Sequence, residues 1–136
     1  MRAINYIAVH CSATPPTATV SSIQKYWKEK LKWKSPGYHV IVKPNGDAVE
    51  LLPIDQASNG VKGYNSQTIN ISYIGGIDAK GKPTDTRTPE QKATILRYLT
   101  TWKKMFPKAI IQGHRDFPNV QKACPSFDAK NEYKNV

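Results

Sequence analysis

Short apolar runs recur along this chain and are separated by amphipathic or polar stretches. The first run, from Ile4 to Val9, is rich in β-branched and aromatic residues and ends at His10. Such a run is typical of a strand that is buried on both faces. Further strands are predicted at residues 38–42, 68–74 and 109–112.

A β-hairpin is predicted around the dipeptide Asn45-Gly46. The dipeptide lies between the strand at residues 38–42 and a second apolar segment at residues 48–52. Asn-Gly supplies the two positive-φ residues that a tight type I′ turn requires. The residues that follow, 53–67, are rich in Ser, Asn and Gly and are predicted to form a loop.

A basic amphipathic helix is predicted at residues 21–32. Ile23, Trp27 and Leu31 recur at four-residue spacing, and lysines lie between them. The sequence Ser-Pro-Gly at residues 35–37 separates this helix from the next strand.

A second helix is predicted to begin after Thr88. Thr88 is a favoured cap, Pro89 suits the first helical position, and Gln91 lies three residues after the cap. Pro107 ends the pattern, and a short final helix or turn is expected at residues 128–133. The apolar stripe of the second helix consists of Ile95, Leu99, Trp102 and Phe106.

The order of these elements predicts an α/β fold with a mixed central β-sheet of about five strands flanked by helices. A length of 136 residues fits a single domain over residues 1–136. No apolar run approaches the roughly 20 residues of a membrane-spanning helix. The N-terminal apolar run is short and lacks a cleavage site, so synthesis in the cytoplasm without a signal peptide is expected. The protein is also expected to be a monomer.

The chain is strongly basic. Twenty Lys and Arg residues against ten Asp and Glu give a net charge of +10, which favours an anionic partner such as nucleic acid, acidic lipid or an anionic cell-wall polymer. Tyr26, Trp27 and Trp33 lie among the lysines of residues 25–34, a pattern that could stack bases. Because Trp27 falls on the apolar stripe of the predicted helix, nucleic-acid binding is the less favoured interpretation.

Two residues near the C-terminus suggest a metal site. His114 follows the last predicted strand, and Cys124 lies ten positions later. A catalytic zinc ion needs at least three protein ligands if water is to fill the fourth position. His10 follows the first strand, and loops converge beyond the carboxyl ends of strands. These residues therefore predict one zinc ion that activates water for hydrolysis.

Other interpretations of the same residues stay open at this point. An isolated histidine at a strand end is often a hydrogen-bonded structural residue, and a lone cysteine is often a small buried hydrophobe. A disulfide between Cys11 and Cys124 would also consume the thiol that the metal site requires.

Six segments of the chain resemble the zinc-dependent N-acetylmuramoyl-L-alanine amidases, especially the short phage lysozymes of that type. They occur in the same order as in that family and comprise residues 9–14, 37–39, 62–65, 75–78, 113–116 and 122–128. The resemblance implies a mixed sheet with flanking helices. It also implies a phage-type endolysin that cleaves the amide bond between N-acetylmuramic acid and the first L-alanine of the peptidoglycan stem.

The resemblance further implies that His10, His114 and Cys124 bind zinc and that Tyr38 and Lys122 are catalytic. A lysine ammonium beside a metal can stabilise an oxyanion, and a tyrosine hydroxyl can donate a proton or orient water.

The neighbours of two predicted site residues are expected to be structural. Adjacent residues of a strand point to opposite faces, so His39 and Cys11 cannot face the site together with Tyr38 and His10.

The sequence also departs from the family pattern at two places. Many relatives have a histidine where this chain has Asn59-Gly60, and an arginine where it has residues 51–53. These differences affect the expected contacts with the stem peptide of peptidoglycan. Relatives that lack the cysteine ligand bind peptidoglycan without cutting it. The presence of Cys124 favours catalysis over this recognition function.

Overall fold

The computed structural model describes residues 2–136, and within them lies a five-stranded mixed sheet. The strands are β1 (Tyr6–Cys11), β2 (Val40–Val42), β3 (Ala48–Glu50), β4 (Thr68–Tyr73) and β5 (Ile110–Gly113). The helices are α1 (Val20–Glu29), α2 (Pro89–Met105) and α3 (Ala129–Glu132), with 3-10 turns at Asn65–Gln67 and His114–Asp116. The predicted α/β class and strand number are confirmed.

The sheet order is β3-β2-β4-β1-β5, and only the β2–β3 pair is antiparallel. β1 is therefore flanked on both sides by parallel partners. Val9 of β1 lies opposite Gly113 of β5, and His10 lies opposite Ser72 of β4. β1 extends two residues beyond the predicted run, so His10 belongs to the strand itself, and the residue after β5 is His114.

The two faces of the sheet bury different sets of side chains. Alternate strand residues such as Ile7 and Ile71 form one core with Ile95, Leu99 and Trp102 of α2. On the other face, Ile23 and Trp27 of α1 pack with Ile41 and Ile74. His10 lies on the same face of β1 as Ala8, and that face is opposite to α2.

The start of α2 follows the predicted capping pattern. The Thr88 hydroxyl accepts from the Gln91 N–H at 3.0 Å, and Gln91 Oε1 accepts from the Thr88 N–H at 2.9 Å. Gln91 also donates from Nε2 to the carbonyl oxygens of Val42 and Ile74, both at 3.1 Å. The same side chain therefore caps the helix and fastens it to the sheet.

The predicted end of the first helix is wrong. α1 ends at Glu29 because Lys32 adopts a left-handed conformation with φ of 58° and turns the chain. Trp33 then folds back, so that its backbone N–H donates to the Trp27 carbonyl at 3.0 Å and its ring stacks on the Trp27 ring. Leu31, predicted to lie on the apolar stripe, is 37% exposed.

The hairpin is present, but the prediction of a type I′ turn is wrong. The Gly46 N–H donates to the Lys43 carbonyl at 2.8 Å, so the turn spans residues 43–46. Pro44 fixes its own φ near −65° and suits the second position of an ordinary type I turn. Of the dipeptide, only Gly46 has positive φ, at 91°. β2 also begins at Val40, so Tyr38 precedes the strand.

None of the helices in residues 2–136 has the length and apolar character needed to cross a membrane.

A buried arginine ties the start of α2 to the C-terminal segment. The Arg87 guanidinium bonds to the carboxylates of Asp85 and Glu132 at 2.8–2.9 Å and donates to the Tyr133 hydroxyl at 2.8 Å. Its Cζ lies 3.4 Å from the centroid of the Phe127 ring. The segment that follows Cys124 is thus anchored by one side chain.

Replacing this guanidinium should destabilise the fold. Arg87→Met leaves two carboxylates without a partner, so we expect the free energy of unfolding in urea at pH 7 to fall by about 2 kcal/mol. Arg97→Met removes the same charge from an exposed position on α2 and should change stability little. Equal stability of the two variants would contradict the anchoring role.

A comparison of wild-type protein with Arg87→Met at different pH values gives a second test. Hydrogen bonds from Arg87 lower the pKa of the Glu132 carboxyl. A carboxyl group whose pKa is lower in the folded state stabilises the fold at pH values above its unfolded-state pKa of about 4.3. This stabilisation is lost as the pH falls towards the folded-state pKa. Wild-type protein should therefore lose more stability than Arg87→Met between pH 6 and pH 3.

Candidate metal centre

The structure brings the three predicted metal ligands together. His10 lies in β1, His114 directly follows β5, and Cys124 lies in the loop before α3. Their nitrogen and sulfur ligand atoms all lie within 4.8 Å of one another. His10 Nδ1 is 3.8 Å from Cys124 Sγ, and the two imidazole centroids are 4.8 Å apart. We call these three residues the His–His–Cys cluster.

Strand pairing and backbone hydrogen bonds explain why these residues meet. Because β1 and β5 are parallel and in register at Val9 and Gly113, the following histidines lie side by side. The Arg115 N–H donates to the Cys124 carbonyl at 2.9 Å, which holds the cysteine loop against the end of β5. The Cys11 N–H donates to Cys124 Sγ at 3.2 Å and directs the sulfur towards β1.

The donor set fits a zinc ion. Ligand bond lengths of about 2.0 Å for nitrogen and 2.3 Å for sulfur place such atoms roughly 3.5 Å apart around a tetrahedral centre, close to the observed 3.8 Å between His10 Nδ1 and Cys124 Sγ. His10 Nε2 lies 2.7 Å from the side-chain oxygen of Asn70, so Nδ1 is the nitrogen that faces the cluster. Two imidazoles and a thiolate suit zinc, whereas calcium and magnesium prefer oxygen ligands.

Both histidines have the protonation state that a metal ligand needs. Burial lowers the pKa of His10 to about 3, and burial together with the charge of Lys122 lowers the pKa of His114 to about 4. The two imidazoles are therefore neutral at neutral pH. A hydrogen bond with the Cys11 thiol, together with burial, raises the pKa of Cys124, so metal binding must release the thiol proton.

The two predicted catalytic residues lie beside the cluster. The Tyr38 ring centroid is 5.0 Å from that of His10, and the Tyr38 hydroxyl donates to the Cys11 carbonyl at 3.1 Å. Burial raises the pKa of Tyr38, so the phenol keeps its proton. Lys122 is exposed, and its charge contributes to the low pKa of both His10 and His114.

Two residues expected to be structural lie outside the cluster. Cys11 is buried in the core on the α2 face, and both cysteines are free, so the alternative disulfide is not formed in this structure. His39 is fully buried, accepts from the Asn70 N–H at 2.9 Å and lies 2.6 Å from the Gln56 carbonyl oxygen.

The sequence analysis missed Asn70, which contacts His10 directly. A signal was present, because Asn70 interrupts the apolar pattern of β4 and a buried amide requires hydrogen-bond partners. The pattern alone does not indicate which partner an amide has when that partner is 60 residues away.

The mixed sheet and the His–His–Cys cluster together define an α/β protein with a candidate hydrolytic metal centre. The sequence model of the N-acetylmuramoyl-L-alanine amidase family matches residues 1–127, and the chain belongs to this family. The endolysin of Enterobacteria phage K11 is 37% identical over 127 residues, which cover 93% of this chain and 83% of that relative. The resemblance identified from the six segments is confirmed.

Solved structures show the same fold at lower identity. The Ph2119 endolysin from Thermus scotoductus MAT2119 bacteriophage Ph2119 matches with a TM-score of 0.78 at 24% identity, over 92% of this chain and 79% of that chain. The bumblebee peptidoglycan-recognition protein PGRP-SA matches with a TM-score of 0.76 at 17% identity, over 97% and 81% of the two chains.

The cluster predicts how zinc content depends on the two cysteines. Wild-type protein should retain about one zinc per chain after gel filtration, because three protein ligands with a fourth open position form a catalytic-type site. Cys124→Ser should lose most of the metal. Cys11→Ala removes a neighbouring buried thiol that is not a ligand and should keep the metal.

Elemental analysis of the folded variants, checked by circular dichroism, measures this difference. Full zinc content in Cys124→Ser, or loss of zinc in Cys11→Ala only, would contradict the assignment.

Proposed function

We propose that this chain is a zinc-dependent N-acetylmuramoyl-L-alanine amidase, which hydrolyses the amide bond between N-acetylmuramic acid and L-alanine in peptidoglycan, as a phage-type endolysin does. The observation that carries the proposal is the convergence of His10, His114 and Cys124 at adjoining strand ends in a chain of the amidase family. We further propose that residues 1–136 act as one amidase domain on the cell wall.

His10, His114 and Cys124 would hold the zinc ion through two nitrogens and one sulfur. When bound at such a site, zinc acts as a Lewis acid and makes a hydrolytic nucleophile available at neutral pH. His10 is buried, whereas His114 and Cys124 are each partly exposed, so a substrate would approach the cluster from the side of these two residues.

Lys122 and Tyr38 would stabilise charge as the amide bond breaks. Negative charge develops on the scissile carbonyl oxygen, and the Lys122 ammonium, whose charge acts on both His10 and His114, would attract that charge. Because Tyr38 keeps its proton, it acts as a hydrogen-bond donor and not as a base. The Tyr38 hydroxyl would exchange its bond to the Cys11 carbonyl for one to the substrate.

Two other functions receive less support. A recognition module without catalysis does not require the cysteine, yet Cys124 points its sulfur at His10 within the cluster. Base stacking by residues 25–34 would need exposed rings, but Trp27 is buried and Trp33 stacks on it, so only Tyr26 projects into solvent.

The lysines of that stretch are exposed, and attraction to anionic cell-wall polymers stays a prediction. The monomeric state and cytoplasmic synthesis also stay predictions.

Mass spectrometry of digested peptidoglycan tests the proposed reaction. Purified cell wall should yield free stem peptides that begin with L-alanine, together with glycan strands that have lost them. Removal of metal by a chelator should abolish both products, and added zinc should restore them. Cleavage within the glycan, or full activity of protein shown to be free of metal, would contradict the proposal.

The same digest separates catalysis from metal binding when Lys122 is replaced. Lys122→Met should retain zinc and release stem peptides about 100-fold more slowly, because one charge that stabilises the transition state is lost. Lys130→Met removes an exposed lysine from α3 and should leave the rate unchanged. Equal rates for the two variants would show that Lys122 is not catalytic.

A further inference from the structure

A row of buried polar side chains runs behind His10, on the side of the imidazole away from the cluster. Asn70 of β4 is fully buried, and its Oδ1 lies 2.7 Å from His10 Nε2. The same amide donates from Nδ2 to the Ser58 hydroxyl at 2.7 Å. Ser58 Oγ lies 3.3 Å from His39 Nδ1, and His39 Nε2 lies 2.6 Å from the Gln56 carbonyl oxygen.

The Asn70 backbone N–H fixes the direction of these hydrogen bonds, because it only donates and lies 2.9 Å from His39 Nδ1. His39 therefore accepts at Nδ1 and carries its proton on Nε2, which points to the Gln56 carbonyl oxygen at 2.6 Å. Arg2 Nη2 lies farther from Nε2, at 3.2 Å, and, because a guanidinium only donates, it is not the partner of that proton. The Ser58 hydroxyl then donates to His39 and accepts from Asn70 Nδ2. Asn70 Oδ1 is left to accept from His10 Nε2, so the lone pair of His10 is on Nδ1.

The loop that supplies Ser58 also confines the Asn70 amide. A Cβ atom on Gly60 would lie 2.3 Å from Asn70 Cγ and 2.4 Å from its Oδ1, so only glycine leaves room for this side chain. A flipped amide would present Nδ2 to His10 Nε2 and Oδ1 to Ser58, which reverses the order of donors and acceptors set at His39. Packing and hydrogen bonding thus hold the amide in one orientation.

We propose that Asn70 is a positioning residue for the metal centre: its side-chain oxygen holds His10 as the Nε2–H tautomer and aims Nδ1 at the metal. The outer hydrogen bond of a ligand histidine fixes its tautomer and ring orientation. Gly60 and Ser58 act through Asn70, since one makes room for the amide and the other sets its direction. This inference rests on the zinc site of the proposed function.

Zinc affinity, measured by competition with a chromophoric chelator, tests this role. Asn70→Leu keeps the approximate volume but removes the acceptor, and it should weaken zinc binding by about 10- to 100-fold. Asn70→Asp keeps an acceptor towards His10 Nε2 and should bind zinc at least as tightly as wild type. Gly60→Ala leaves the amide chemistry intact but displaces Asn70, so it should also weaken binding and serves if Asn70→Leu does not fold.

Long-range ¹H–¹⁵N NMR spectra of the metal-free protein report the tautomer directly. Wild-type His10 should show a single Nε2–H form, and Asn70→Leu should show a mixture of tautomers. A wild-type Nδ1–H form, or unchanged zinc affinity in both Asn70→Leu and Gly60→Ala, would overturn the proposal. A protein that binds zinc with the expected ranking but releases no stem peptides would instead refute the amidase function and leave the role of Asn70 standing.

Discussion

The parallel pairing of β1 with β5 is the constraint on which the metal centre depends. Their register places Val9 opposite Gly113, so the histidines that follow these residues lie side by side although 104 positions separate His10 from His114 in the sequence. Parallel neighbours also end at the same edge of a sheet, where loops converge. β4, on the other side of β1, supplies Asn70 to the outer nitrogen of His10, so β1 and both of its neighbours contribute to one imidazole environment.

The third ligand depends on a different set of contacts. Cys124 belongs to a loop, and its position follows from backbone hydrogen bonds to Arg115 and Cys11 and from the anchoring of the next segment by Arg87. The cluster thus has one residue in β1, one directly after the paired strand β5 and one on an anchored loop.

Much of the fold could be predicted from sequence because its signals are local. The apolar runs predicted the strands, Thr88-Pro89 with Gln91 predicted the start of α2, and the strand ends predicted that His10 and His114 would lie close together. The errors arose where a nonlocal contact or a neighbour overrode the pattern. Trp33 folding back on Trp27 ends α1 early, and Pro44 changes the turn that Asn45-Gly46 suggested.

In the proposed function, His10, His114 and Cys124 together bind one zinc ion. X-ray absorption at the zinc edge of the purified protein tests it most directly, because sulfur and nitrogen ligands are resolved by distance, at about 2.3 Å and 2.0 Å. We expect one sulfur, two imidazole nitrogens and one further light ligand. A shell without sulfur, or with two sulfurs that would bring in Cys11, would contradict it.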